Sequence, residues 1–337
     1  MRIKKWLAVF LAVTALTCLG GCIQADENDG KVTVYLSTEV IDHFDSGSRR
    51  YEYKYDHNGN MLLEADYNKD GTESSREEHE YDSHGNITLA THYAAGRRIY
   101  REEWEYQYDS NGNVIQRSYS YNGEARNYTT FEYDDKGNNT LAVHFVDGKQ
   151  DSYRECEYDS HGNMVQQAFY YGTNESAHLE YKYEYDCNGN LTLQFQYDKG
   201  ELVGRDEYEY DSNGNETLRI HWSGNEVFSY TKSEYDRNDN NTLHVSYRQS
   251  QEFSRVENQY DGNGHKVLSI FYNEGKENRR EKYEYDKNGC IIKVTTIWPQ
   301  GTETYQTYKY TKVTVSPEQA KELQENPAYL QMIFVQK

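Results

Sequence analysis

The chain has 337 residues, with 36 Lys and Arg against 56 Asp and Glu, a formal net charge of -20. A chain this acidic repels nucleic acid and anionic headgroups, so its charged partners are expected to be cationic and the rest neutral. Only 36% of residues are hydrophobic while 35 are tyrosine, which excludes a large aliphatic core and favours buried rings with their hydroxyls near water.

Arg2, Lys4 and Lys5 open the chain, and an apolar run follows from Trp6 to about Leu19. The run is shorter than the roughly 20 apolar residues of a spanning helix and fits the hydrophobic region of a secretory signal. It ends in Leu19-Gly20-Gly21-Cys22, which resembles the lipobox of bacterial lipoproteins. The resemblance implies a signal peptide over residues 1–21, cleavage before Cys22, and a lipidated Cys22 as the new N-terminus. The protein would then be extracytoplasmic and held to the cell membrane through that residue. Loss of the signal's three cations moves the formal charge from -20 to -23. Residues 22–30 read as a short acidic tether. Cys156, Cys187 and Cys290 fall at different repeat positions and are odd in number, so no disulfide framework is expected.

After a candidate cap strand over residues 31–50, one unit recurs ten times across residues 51–298. Its marker tyrosines are Tyr55, Tyr81, Tyr108, Tyr133, Tyr158, Tyr185, Tyr210, Tyr235, Tyr260 and Tyr285, each followed by Asp. In the copy from Glu207 to Trp222, Tyr208 and Tyr210 alternate with Glu207 and Glu209, which predicts a strand with a tyrosine face and a glutamate face. Asp211-Ser-Asn-Gly214 then has turn chemistry, with Gly214 at a left-handed position. Leu218, Ile220 and Trp222 alternate with Thr217, Arg219 and His221, predicting a second strand with one apolar face. A looser turn such as Gly123-Glu124 or Lys199-Gly200 leads onward. Lone hairpins are marginal, so stacked copies are expected to bury each other's aromatic faces. Residues 299–337 read as a C-terminal cap: Ser316-Pro317-Glu318-Gln319 starts a short helix, Asn326-Pro327 ends it, and Tyr329 to Val335 forms a last strand.

YEYDSNGN and its nine relatives resemble the YD repeat of Rhs proteins, wall-associated proteins and teneurins. The resemblance covers Tyr51 to about Trp298. It implies an all-β fold of tandem antiparallel hairpins forming an extended or spiralling strip, with a short C-terminal helix in a cap, and it carries no catalytic residues.

The residues themselves offer three chemistries. Asp109-Ser-Asn111-Gly-Asn113 presents calcium-type oxygens, but an EF-hand loop has glycine sixth and a bidentate Glu twelfth. His92, His144 and His221 share one strand position in repeats two, four and seven, too far apart to converge on zinc. Glu132, Glu157, Glu184, Glu209, Glu234 and Glu284 are one repeat position, whereas a glycosidase needs a singular carboxylate pair. No metal, cofactor or catalytic residue is therefore expected, and the chain reads as non-enzymatic. Its expected role is a surface binding or adhesion module for an envelope or host glycan or protein. The alternatives are a spacer or scaffold in the envelope, or a carbohydrate-active enzyme. The aromatic rows are expected mainly to pack, and the end strands to offer free edges for pairing.

Overall fold

The computed structural model describes residues 22–26, 31–44, 46–317 and 319–320, with no side chains described for 22–26 and 31. The signal segment, residues 27–30, and the expected helix end and final strand beyond 320 lie outside the described residues.

The hairpin is the local unit. In the seventh copy, β15 (Glu201–Tyr210) and β16 (Glu216–Ser223) pair antiparallel, with Tyr208 opposite Arg219 and Glu209 opposite Leu218. Between them, Asp211 Oδ1 accepts the backbone N–H groups of Asn213 and Asn215, each at 2.9 Å, and Oδ2 accepts the Asn215 side-chain amide at 3.0 Å. One carboxylate thus satisfies three donors that the turn would otherwise leave to water. Gly214 sits at φ 88°, where a Cβ would be strained; Asp239 takes that place in the eighth copy at φ 62°. The second turn is tighter than expected. β8 (Val114–Tyr121) joins β9 (Glu124–Tyr133) through Asn122 and Gly123 alone, both left-handed at φ 53° and 81°. That is the two-residue turn whose twist matches an antiparallel ribbon.

The hairpins do not form a strip or spiral. β2 (Lys31–Phe44) pairs with β3 (Gly47–Tyr55) on one side and with β23 (Glu303–Val315) on the other, closing an antiparallel barrel of 22 strands. The closing ladder runs from Val32 opposite Val315 to His43 opposite Tyr305. The physical reason lies in the two segments read as caps. Each holds a long β-branched strand, and an unpaired strand edge is a row of unsatisfied donors and acceptors; the two edges satisfy each other. Closure also gathers a buried apolar cluster of Val32, Val34, Leu36, Val315 and Ala320, with Tyr55 and Val313 against it. Among the described residues β2 and β23 therefore satisfy each other along the seam instead of standing as free ends. β1 (Cys22–Asp26) pairs with the first part of β2, Cys22 opposite Tyr35. Of the expected helical cap the described residues hold only a first turn after β23, where Ser316 and Gln319 exchange side-chain-to-backbone bonds of 3.0 and 3.2 Å. Cys156 and Cys187 are free thiols, while Cys290, expected to be unpaired, is disulfide-bonded.

The faces also combine differently from the stacking expected. Register places Tyr208 beside Arg219 and Asp206 beside His221 on one face, and Glu207 beside Ile220 and Arg205 beside Trp222 on the other. The tyrosine face therefore carries the second strand's polar residues, and the glutamate face carries its apolar ones. Neither face is an apolar layer. β14 (Leu191–Asp198) is half-buried at every position instead of alternating, as a single-layer wall requires. On the glutamate face one rung repeats with two solutions. Arg50, Arg76, Arg205 and Arg255 lie over Tyr67, Tyr93, Trp222 and Tyr272 at 3.7 to 4.2 Å. At the equivalent place Tyr128, Tyr153 and Tyr230 stack on Phe145, Tyr170 and Tyr247 at 4.3 to 4.5 Å.

Candidate functional site

The residues singled out by sequence fall into place as follows. Cys22 is the first residue of β1, at the N-terminal end of the described chain. The repeated glutamates lie in one row of the glutamate face, with Glu132, Glu184, Glu209 and Glu234 opposite Leu141, Leu193, Leu218 and Leu243. Asp109 caps its turn, accepting Asn111 and Asn113 N–H groups at 2.8 and 2.9 Å. Among the described residues no group of histidine, cysteine and carboxylate side chains is arranged to hold a metal ion.

The marker tyrosines act between hairpins. The hydroxyls of Tyr133, Tyr158, Tyr210, Tyr235, Tyr260 and Tyr285 donate to the backbone carbonyls of Val114, Asn139, Leu191, Glu216, Asn241 and Lys266, at 2.7 to 3.0 Å. Each acceptor lies nineteen residues upstream in the preceding hairpin. These tyrosines are structural ties.

The repeat is broken most sharply on the tyrosine face of the first three hairpins. β5 (Glu73–Tyr81) carries His79 where other copies carry Tyr53, Tyr106, Tyr208 or Tyr283. His79 Nε2 lies 2.7 Å from Glu77 Oε1, and its Nδ1 lies 3.0 Å from the carbonyl of Met61 in β4 (Met61–Tyr67). The other Glu77 oxygen is 3.2 Å from Nδ1 of His92 in β6 (Ile87–Ala94). His92 Nε2 lies 3.2 Å from Glu102 of β7 (Arg97–Tyr108), whose second oxygen accepts the Tyr119 hydroxyl at 2.8 Å. The His92 ring stacks on Tyr100 at 4.1 Å. Burial opposes a charged His79, but the bond to Glu77 and its charge outweigh it and hold the imidazolium above its usual range. Burial pushes the Glu64 carboxyl up, and the Glu77 charge adds to it. The sequence placed His92 as a strand-face histidine, which it is. It missed the run because its partners sit on three strands; the legible signal was His79 in a tyrosine's place with Glu77 two residues before it.

A second break lies where β16 and its neighbours meet the second turns. His221 Nδ1 is 3.1 Å from Asp206. Phe228 meets the His221 ring edge-on at 5.9 Å, and the Arg248 guanidinium lies 5.9 Å from Phe228 and 4.9 Å from Phe253. Phe228 is 49% exposed and Phe253 44%, with Val203 at the matching place one hairpin earlier, 42% exposed. Three consecutive hairpins thus present an apolar side chain to solvent at one rim, with a cation between two of them.

Neither face forms the apolar band, about 25 Å tall, of a lipid-facing barrel. On the glutamate face charged residues stand opposite apolar ones, Glu207 with Ile220, Lys232 with Val245 and Glu257 with Ile270, and on the tyrosine face polar pairs such as Thr231 with Ser246 and Asn258 with Ser269 interrupt the rings. Among the described residues no helix is long and apolar enough to cross a membrane.

No family model and no curated protein matches the chain. Among solved structures it aligns with the TcdB2-TccC3-Cdc42 crystal structure at 13% identity and a TM-score of 0.33, over 86% of this chain and 18% of that one. Porin-like proteins from Bacteroides uniformis and Bacteroides vulgatus align at 10% and 7% identity, with TM-scores of 0.25 and 0.23, over 88% and 82% of this chain and 98% of each of theirs. The chain spans under a fifth of the TcdB2-TccC3 length, and superpositions this loose carry no statement about what it does.

Proposed function

We propose that the protein is a non-enzymatic binding module of the cell envelope, anchored through lipidated Cys22 in a mature form whose Cys290 thiol is reduced, and contacting an envelope or host glycan or protein at the second-turn rim. The observation that carries this reading is the row Val203, Phe228 and Phe253 with Arg248. Exposed rings at the same height on successive hairpins are dear to keep in water and are the kind of anchor that binding surfaces use. An aromatic face beside a guanidinium suits sugar rings and protein aromatics alike. The barrel wall presents charged or polar side chains on both faces, which supports a body standing in water with its membrane attachment supplied by acyl chains. Several acyl chains on one residue hold firmly, at about 0.8 kcal/mol per buried CH₂.

The test immobilises the protein freed of its signal segment and screens glycans, peptidoglycan and surface proteins. A ligand is expected whose retention drops at least tenfold in Phe228→Ala/Phe253→Ala while the fold is kept. Equal retention by that variant would move the contact elsewhere, and no retention from any class would remove the reading. Cys22→Ser is expected to release the protein from the membrane fraction and to abolish labelling by a radioactive fatty acid.

A further inference from the structure

His79 and His92 share an unusual demand. Each has both ring nitrogens facing acceptors: His79 faces the Met61 carbonyl and Glu77, and His92 faces Glu77 and Glu102. A neutral imidazole has one donor and one acceptor nitrogen, so neither ring can satisfy both neighbours unless it is doubly protonated or a neighbour carries the proton.

The surroundings leave little else to balance the carboxylates. From its own strand His79 faces Glu77 and Tyr81, and from β4 Glu64, while His92 of β6 meets Glu77. Glu102 and Tyr100 approach from β7, Tyr119 and Tyr121 from β8, and Arg126, itself paired with Glu124, from β9 against Tyr119 and Tyr121. Asp66 lies beyond Glu64 and is held by Arg49 at 2.9 Å. The cations that face Glu77 are the two imidazoles. His79 is almost enclosed, its side chain 6% exposed.

We propose that this run is a proton-operated clamp: with the His79 imidazole protonated it ties the second hairpin to the first across the tyrosine face, in line with the Glu77–His92–Glu102 contacts that reach the third, and loss of that proton leaves Glu64 and Glu77 facing each other without the His79 charge between them. The chain Met61 carbonyl–His79–Glu77–His92–Glu102–Tyr119 crosses two hairpin boundaries. No other described stretch of the tyrosine face joins three hairpins through two imidazoles in this way. The clamp stands apart from the binding reading, since it lies in the first three hairpins, whereas Val203, Phe228 and Phe253 lie in the seventh, eighth and ninth.

The sign follows from His79. A proton held more tightly in the fold than in the unfolded chain, where the ring titrates near 6.5, gives stability that is complete below that value. It is lost as pH rises through the higher folded value. In the full-length protein, the His79 ring signal, identified by its disappearance in His79→Gln, is expected to titrate above 6.5, and Glu77→Gln is expected to bring it down. The melting temperature is expected to fall by a few degrees across the same interval in the wild type and to stay flat there in His79→Gln. If His79→Gln does not fold, the Glu77→Gln shift and amide exchange of β5 and β6 against pH carry the test. A His79 ring titrating at or below 6.5, or one that Glu77→Gln leaves unmoved, would overturn the clamp.

Discussion

The hydroxyl of Tyr210 donates to the carbonyl oxygen of Leu191 at 2.8 Å, across the boundary between two hairpins. The hydroxyl's value lies in that single bond, since the ring packs without it. Tyr210→Phe is therefore expected to cost about 1 kcal/mol. Tyr260 makes the same bond to Asn241 two hairpins further on, so the double substitution should add to within about 0.5 kcal/mol. Urea unfolding of the four proteins measures both numbers.

The turn aspartates set the acid limit. Hydrogen bonds from the Asn215 side chain and backbone hold the Asp211 carboxyl below its usual range, and Asp134, Asp159 and Asp186 are held down in the same way. A depressed carboxyl contributes fully above the unfolded value near 3.9 and loses its contribution as pH falls through the lower folded value. Asp211→Asn is expected to melt below the wild type at pH 7, with the gap closing below pH 4. A gap that stays constant with pH would mean the carboxylate's charge is irrelevant to the turn.

Closure can be tested chemically. Thr33 and Thr314 are register partners in the seam. Thr33→Cys/Thr314→Cys is expected to form a bridge under mild oxidation that shows as a mobility shift on a non-reducing gel. An open strip would hold these positions at opposite ends of the molecule and give no bridge.

The rung at Arg205 has an alternative the chain itself supplies. Arg205→Ala removes a guanidinium 4.2 Å from Trp222 and 2.9 Å from Glu207, and is expected to cost about 1 kcal/mol. Arg205→Tyr is expected to stay within about 0.5 kcal/mol of the wild type, because Tyr230 stacks on Tyr247 at the same rung one hairpin later. Thermal melts of both variants decide it.

The hairpin was legible residue by residue. Asp211, Asn215 and Gly214 do what their chemistry predicts, and the alternation of Tyr208 with Glu209 gives the strand. Two things were hidden. The first is which faces share a side, since the bulge between Glu209 and Tyr210 sets that register and no periodicity reveals a bulge. The second is closure, because the pairing of Val32 with Val315 joins the two ends of the repeat array and no local pattern announces it. The candidate sites were hidden for a related cause. His79 and His92 acquire meaning only when Glu77 and Glu102 arrive from neighbouring strands, and Phe228 and Phe253 look like ordinary strand residues until their exposure is seen.

The seam also orders events in time. Each hairpin joins residues a few positions apart and can form as soon as its own twenty-five or so residues are free. The bond between Gln306 and Asp42 spans 264 residues, so nothing can complete the ring until almost the whole chain has emerged. Non-local pairing of this kind is the slow step of β folding. The first strand must wait, unpaired on one side, for the last. Newly made protein is therefore most vulnerable to sticking to its neighbours in the interval before its two ends meet.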